Sequence, residues 1–120
     1  MFKLIITARR KPGTSTVEFR DYYEKRHAVL VRKITPMMRR YRRNYLTPLD
    51  SALATGDPTS YDCVTEAWFD SEADFQRSIQ SLLADPEKTA ALAKDEENLF
   101  DRSTIRIFTA VEVESASSAR

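Results

Sequence analysis

Hydrophobic residues in the first third of the chain recur at the spacing of one helix face. They follow one another at intervals of four, four, three and four, and they are Phe19, Tyr23, His27, Leu30 and Ile34. This period predicts a helix that begins at Thr16 and runs to about Lys33. Ser15, with Glu18 three positions later, predicts a capping box at its start.

Four other segments are rich in β-branched and aromatic residues, which predicts strands. They span residues 1–8, 37–46, 61–69 and 102–114. The last segment alternates well between apolar and polar positions, whereas arginines occupy both faces of the second. The apolar first segment predicts a strand that is buried on both faces, and the alternation of the last segment predicts that one of its faces is turned toward a core.

Two further helices are predicted between the third and fourth strands. Ser71 is a candidate N-cap for the first of them. Asp85 followed by Pro86 predicts the start of the second helix, which is expected to fray near Asn98. The apolar stripe of the first helix consists of Phe75, Ile79, Leu82 and Leu83.

The resulting order, β-α-β-β-α(α)-β, predicts an α+β, ferredoxin-like domain over residues 1–114 and a disordered tail over residues 115–120. Its four antiparallel strands would carry helices on one face. The strands hold enough apolar residues to cover both faces, and a second copy of the chain is the simplest cover for the bare one. We therefore expect a homodimer whose two sheets form a barrel. The longest predicted loop spans residues 47–60, and long loops often close over a site.

Composition removes several classes of function. The formal net charge of +1 gives no overall field toward nucleic acid or an anionic membrane, and we expect neither as a partner. Two glycines are too few for a phosphate-binding glycine-rich loop, and one cysteine with one histidine cannot form a disulfide or a usual zinc site. Without a signal pattern or a long apolar run, we expect a cytoplasmic protein that uses no cofactor.

His27 is the only histidine, and it stands within the apolar stripe. An imidazole titrates near neutral pH, so His27 could act as a general acid or base. The alternative is a core residue whose ring N–H meets a carbonyl group. The stripe itself leaves both readings open.

Six stretches, in the right order and spanning most of the chain, resemble the EthD family of the dimeric α+β barrel superfamily. They are RKPG at 10–13, FRDYYEKRH at 19–27, YRRNY at 41–45, YD at 61–62, EAWFD at 66–70 and DEENLFDRS at 95–103. The resemblance implies a homodimeric barrel with a pocket between sheet and helices. Some members act as dehydratases or cyclases on anthraquinone-type and related phenolic compounds. Related barrels isomerise muconolactones, oxidise quinols or degrade haem, and many members have no known activity.

The resemblance places the motif histidine at His27 and a carboxylate near the end of the last helix at Asp101. Asp101 would hydrogen-bond His27 and fix its tautomer, or it would only cap a turn through Ser103. Tyr41 and Tyr45, four apart on one strand face, could donate hydrogen bonds to a developing oxyanion or stack on an aromatic ligand. Their alternative role is strand packing.

Further candidates line the predicted sheet and the first helix. Glu66 and Trp68 share a strand face, where the carboxylate would either line the pocket or pair with a neighbouring arginine, Arg40 or Arg42. Tyr22 is a pocket candidate that could equally flank the core. The arginines of the basic patch could protect an edge strand or hold a substrate carboxylate or phenolate, and they are Arg39, Arg40, Arg42 and Arg43. Cys63 is expected to be a small core residue.

The function favoured by these features is a cofactor-independent lyase, a dehydratase or cyclase that acts on a hydroxylated aromatic or polyketide-like molecule. We expect His27, Asp101 and Tyr45 to be catalytic. The expected substrate-binding residues are Tyr22, Tyr41, Arg43, Glu66 and Trp68. The alternatives are an isomerase, a haem or quinol monooxygenase, and a dimeric module that binds a small molecule without catalysis.

Overall fold

The computed structural model describes residues 1–49, 52–53 and 61–119 of the chain. The strands are β1 (Phe2–Arg10), β2 (Arg40–Tyr45), β3 (Cys63–Phe69) and β4 (Phe100–Ala110). The helices are α1 (Thr16–Tyr22), α2 (Ala28–Ile34), α3 (Glu72–Leu83) and α4 (Pro86–Leu99), and a π-helical turn, Tyr23–His27, joins α1 to α2. These elements follow the predicted order.

The four strands form one antiparallel sheet in the order β2-β3-β1-β4. Because β1 and β3 occupy the centre, they are the strands whose backbone groups are paired on both sides. The sheet with its helices confirms the predicted α+β, ferredoxin-like fold.

The helix caps confirm the predicted starts. The Ser15 hydroxyl accepts from the Glu18 N–H at 3.0 Å, and the Glu18 carboxylate accepts from the Ser15 N–H at 3.1 Å, which is the reciprocal capping box. Ser71 caps α3, and Asp85 caps α4 with Pro86 in its first turn. Each cap satisfies backbone donors that the helix itself leaves unpaired.

The π-helical turn explains how the first helical segment keeps its aromatic residues on one line. In a regular α-helix, residues four apart drift around the axis by about 40° per step, since there are about 3.6 residues per turn. The wider turn at Tyr23–His27 reduces this drift. Phe19, Tyr23 and His27 are consequently all buried, with ring centroids 6.0 Å and 5.0 Å apart along the row.

The two faces of the sheet have different surroundings. Thr65, Ala67 and their β1 neighbours Leu4 and Ile6 lie on the face that carries the helices, which we call the helix face. The alternate positions form the open face, and they include Lys3, Ile5, Val64, Glu66, Trp68 and Phe108. The main core therefore lies between the helices and the sheet.

All four observed strands differ from the predicted bounds, since β1 continues to Arg10 and β3 begins at Cys63, and the differences are largest for β2 and β4. β2 begins at Arg40 rather than at position 37, because Thr35 and Met38 form a turn after α2. β4 begins earlier, at Phe100, and ends at Ala110, where pairing with Lys3 of β1 ends. Residues 111–119 are exposed and have no regular secondary structure. The disorder expected of the tail over residues 115–120 stays a prediction. Most of the predicted loop over 47–60 lies outside the described residues.

Candidate active site

A hydrogen-bonded chain of side chains connects the first helical segment to α4. His27 Nδ1 lies 2.7 Å from Asp95 Oδ2, and the Tyr22 hydroxyl donates to Asp95 Oδ1 at 2.7 Å. Asn98 Nδ2 donates in turn to the Tyr22 oxygen at 3.2 Å. The Asp95 carboxylate thus has a hydrogen-bonding partner at each oxygen, the phenol of Tyr22 at Oδ1 and the imidazole of His27 at Oδ2.

Local geometry places these four groups together. Asp95 and Asn98 are three apart on α4, so their side chains leave the helix on neighbouring sites of one face. Tyr22 ends α1, and His27 ends the π-helical turn. The widened turn lets both reach the same carboxylate although they are five positions apart.

His27 is almost fully buried, with 5% of its surface exposed. Its ring meets those of Tyr23 and Phe100 edge-on, at centroid distances of 5.0 Å and 5.4 Å. Burial lowers the pKa of His27 below its ordinary value, and Asp95 opposes this effect only in part. The neutral ring therefore donates its Nδ1–H to the carboxylate, which leaves Nε2 as the unprotonated nitrogen.

Tyr22 stands at the wall of a cavity of about 390 Å³. Burial, followed by its bond to Asp95, raises the pKa of Tyr22, so the phenol keeps its proton at neutral pH. The cavity is lined by Thr14, Glu18, Phe19, Asp21, Tyr22, Lys25, Arg26, Asn98 and Leu99. His27 is not among these residues and reaches the cavity only through Asp95 and Tyr22.

A second polar cluster lies on the helix face of β2. Arg43 forms a bidentate pair with Glu24, at 2.6 Å and 2.9 Å, and the Tyr45 hydroxyl also donates to Glu24. The pair with Arg43 lowers the pKa of Glu24, while burial raises that of Tyr45 and brings that of Tyr41 to about 12. These phenols stay protonated at neutral pH. The catalytic role expected of Tyr45 and the binding roles of Tyr41 and Arg43 stay predictions.

The structure does not bring Asp101 to His27. Asp101 is the second residue of β4, not part of a helix, and its carboxylate accepts from the backbone N–H and the hydroxyl of Ser103 at 3.2 Å and 2.6 Å. This is the turn-capping alternative. The partner of His27 is Asp95, which lies on α4 six residues before Asp101, where this helix passes beside the π-helical turn.

Glu66 and Trp68 lie on the open face of the sheet, across from His27. Their alternation with Thr65 and Ala67 turns them away from the helices, so within one protomer they cannot line the same pocket as His27. Glu66 pairs with Lys3 at 2.9 Å, rather than with the arginines suggested by the sequence. This pair lowers the pKa of Glu66, so the carboxylate is ionised at neutral pH.

The indole of Trp68 lies beneath three cationic side chains, two of which belong to the predicted basic patch. The cationic groups of Lys3, Arg40 and Arg42 lie 4.7 Å, 4.7 Å and 5.4 Å from the ring centroid. Trp68 is 6% exposed, so the aliphatic stems of these residues cover most of it. On the helix face, Cys63 is a buried core residue, and burial raises the pKa of its thiol to about 11.

Sequence reasoning missed Asp95, Asn98 and Glu24. A signal for Asp95 did exist, since it stands four positions before the buried Leu99 and so on the same side of α4. For Glu24 no local signal existed, because its partners Arg43 and Tyr45 come from a strand far along the chain.

The described part of the chain contains no helix that is long and apolar enough to cross a membrane. Over the same residues, no group of three or more His, Cys, Asp or Glu side chains is placed to hold a metal ion.

Similar solved structures share the fold at low sequence identity. The Arabidopsis thaliana protein At3g17210 is 13% identical, the match covers 98% of this chain and 100% of that one, and the TM-score is 0.65. An EthD family protein of Bacillus halodurans C-125 is 19% identical over 94% and 100% of the two chains, with a TM-score of 0.63. A dimeric ferredoxin-like protein of unknown function from Thermobifida fusca YX is 21% identical over 92% and 90%, with a TM-score of 0.51.

The comparison with curated proteins gave no match. The family comparison did, since the model of the EthD domain matches residues 11–103. That match covers all of the helices and the strands β2 and β3, whereas β1 and most of β4 lie outside it. It includes Tyr22, His27, Asp95 and Asn98. The chain therefore belongs to the EthD domain family.

Proposed function

We propose that this protein is a cofactor-independent lyase, a dehydratase or cyclase, that acts on a hydroxylated aromatic or polyketide-like small molecule. The observation that carries the proposal is the chain of hydrogen bonds from the cavity wall at Tyr22 through Asp95 to His27. Dehydration and cyclisation need positioned proton-transfer groups and a site from which water can be excluded. A phenol backed by a carboxylate is such a group.

In the proposed dehydration, Tyr22 contacts the substrate and Asp95 acts as the base behind it. A substrate proton moves to the Tyr22 oxygen while the Tyr22 proton moves to Asp95, so the negative charge passes from the carboxylate to the substrate. The substrate then expels its hydroxyl group, which takes the proton back from Asp95 through Tyr22 and leaves as water. Asp95 is ionised again at the end, and the substrate has lost one molecule of water.

His27 has a positioning role in this scheme. Its Nδ1–H holds one carboxylate oxygen, so the other oxygen is kept toward Tyr22. Because burial lowers its pKa, the ring stays neutral near pH 7 and does not cancel the charge of Asp95.

The cavity supports the substrate class. Its volume of about 390 Å³ is within the usual range for small-molecule sites, about 300–1,000 Å³. Asn98 and Arg26 line the cavity and supply donors that suit hydroxyl or carbonyl oxygens. Phe19 and Leu99 lie beneath its surface and are 3% and 1% exposed.

The first experiment is product analysis by mass spectrometry. The wild type would be incubated with a panel of hydroxylated anthrones, naphthols, quinols and unsaturated lactones. Tyr22→Phe removes only the hydroxyl group that faces the cavity, and Tyr61→Phe is the matched control, because Tyr61 lies outside this cavity. We expect a product lighter by one water from wild type and Tyr61→Phe, and about a hundredfold less from Tyr22→Phe.

Two further variants test the groups behind Tyr22. Asp95→Asn should abolish turnover, whereas His27→Gln should keep part of it and change its pH dependence, because the glutamine amide can still donate to Asp95. No turnover by the wild type on any compound would overturn the proposal. Equal turnover by wild type and Tyr22→Phe would do the same.

A homodimer is part of this proposal. The open face exposes apolar residues. Ile5 of the central strand β1 lies opposite Phe108 of the edge strand β4, and Phe108 is 50% exposed. A face of this kind is usually covered by a partner. The Thermobifida fusca protein of the same fold is described as dimeric. The face-to-face association of two open faces would bury Phe108 of both copies.

A further inference from the structure

A basic cavity of about 420 Å³ lies where α2 ends and β2 begins, away from Tyr22 and His27. Its lining includes Arg32, Arg39, Arg40 and Arg43, together with Tyr41 and Thr35. Guanidinium groups repel one another when they share a small space without counter-charges. Whether the cavity can bind an anion therefore depends on how many of these arginines already have an acidic partner.

Carboxylates neutralise two of the four arginines. Arg39 pairs with Asp70 at 2.9 Å, and Arg43 pairs with Glu24 at 2.6 Å. Among the described residues Arg32 forms no ion pair, although it lines the cavity and is exposed. The cavity lining thus carries more positive charge than its acidic neighbours balance.

Arg40 contributes its charge from the other side of the sheet edge. Its guanidinium stacks over Trp68 on the open face, where it also interacts electrostatically with Glu112, so it contributes less to the cavity than Arg32 does. The end of α2 works in the opposite direction, since the last carbonyl groups of a helix carry partial negative charge. Any preference for anions must therefore come from the arginine side chains.

We infer that this cavity binds a small oxyanion, a carboxylate or phosphate group borne by a small molecule. Arginine presents N–H donors in a planar fork that matches two oxygens of either group. Arg32 is the side chain free to close on such an anion, while Arg39 and Arg43 are held near it by their own carboxylates. The phenol ring of Tyr41, over which Arg43 stacks at 4.8 Å, forms one wall. Binding here does not require the chain to be an enzyme.

The test is a titration followed by two-dimensional NMR of the whole chain, with inorganic phosphate in one arm and benzoate in the other. We expect saturable shifts at Arg32, Thr35 and Tyr41 with at least one of the two anions. The affinity should fall as sodium chloride is raised, because salt screens the arginine charges. The arm that saturates identifies the anion as phosphate or carboxylate.

The matched variants are Arg32→Gln and Lys33→Gln. Both remove one exposed cation from the last turn of α2, but only Arg32 lines the cavity. We expect Arg32→Gln to bind the anion about tenfold more weakly, because one charge-assisted hydrogen bond is lost. Lys33→Gln should bind it almost as well as the wild type. Equal weakening in both variants would mean non-specific attraction and would overturn the inference. The absence of saturable binding of either anion to the wild type would overturn it as well.

Discussion

At the scale of single residues, the carboxylate of Asp95 is the group on which the candidate site depends. It is the shared acceptor for Tyr22 and His27, and its side chain is 14% exposed. A partly buried carboxylate with two such donors stabilises the contact between the first helical segment and α4. Loss of the carboxylate would leave both donors without their acceptor.

Asp95→Ala should therefore destabilise the protein. We expect the free energy of unfolding to fall by about 2 kcal/mol, because a buried imidazole N–H and a phenol would lose their acceptor. Urea denaturation followed by circular dichroism measures the change. Lys94→Ala, at an exposed position on the same helix, is the control and should stay within about 0.5 kcal/mol of wild type. Similar stabilities for the two variants would show that the network is not stabilising.

The single histidine allows a direct test of its environment. Burial lowers the pKa of His27, so NMR titration of its ring protons should give a midpoint below the ordinary value of about 6.5. The unfolded chain then takes up the proton at higher pH than the folded chain. The stability contributed by neutral His27 is complete above about pH 6.5 and is lost as the pH falls through the folded-state pKa.

The same linkage predicts how stability depends on pH. The free energy of unfolding of the wild type should decline as the pH falls from about 6.5 through the lowered pKa, and the decline should be shallower in His27→Gln. A measured midpoint above the ordinary value would mean that Asp95 outweighs burial and would contradict the neutral ring.

At the scale of elements, the first helical segment combines a capped start with a widened middle. The capping box at Ser15 sets where the helix begins, and the π-helical turn sets how its second half is rotated. Because of this rotation, His27 points to α4 and Phe100 instead of drifting toward solvent. The start of the helix was readable from sequence, and the turn was not.

Ser15→Ala should weaken this element. We expect a loss of about 1 kcal/mol in the free energy of unfolding, since the Glu18 N–H loses its side-chain acceptor. Chemical denaturation provides the measurement. Ser81→Ala, at an exposed position inside α3, is the control and should be neutral or slightly stabilising, because alanine is the better helix former. An equal loss in both variants would rule out a capping effect.

At the scale of the whole molecule, the sheet separates two groups of polar and charged side chains, one on each face. The helix face carries the Tyr22–Asp95–His27 chain and the Glu24 cluster, while the open face carries Trp68 under its cations. One protomer leaves that open face without a covering layer of helices. The dimer proposed for this family member would place the two open faces against each other.

Light scattering coupled to size-exclusion chromatography tests the dimer. The wild type should elute as a species of twice the chain mass of 13.8 kDa. Phe108→Lys should shift it to the monomer, because the interface would then bury a charge on each copy. Val29→Lys is the control, since Val29 is 60% exposed on α2 and away from the open face, and it should leave the dimer intact. A monomeric wild type, or a dimeric Phe108→Lys variant, would contradict this assembly.

The sequence alone determined the order of the elements, the helix caps and the inward face of the first helix. These features are local, since caps and periodicity act within a few residues of one another. Only the tertiary structure decided which groups meet. Asp95 lies 68 positions from His27 and replaced Asp101 as its partner, and Lys3 replaced the arginines beside Glu66. Periodicity tells which way a side chain points along its own element, but the partner depends on how that element packs against distant ones.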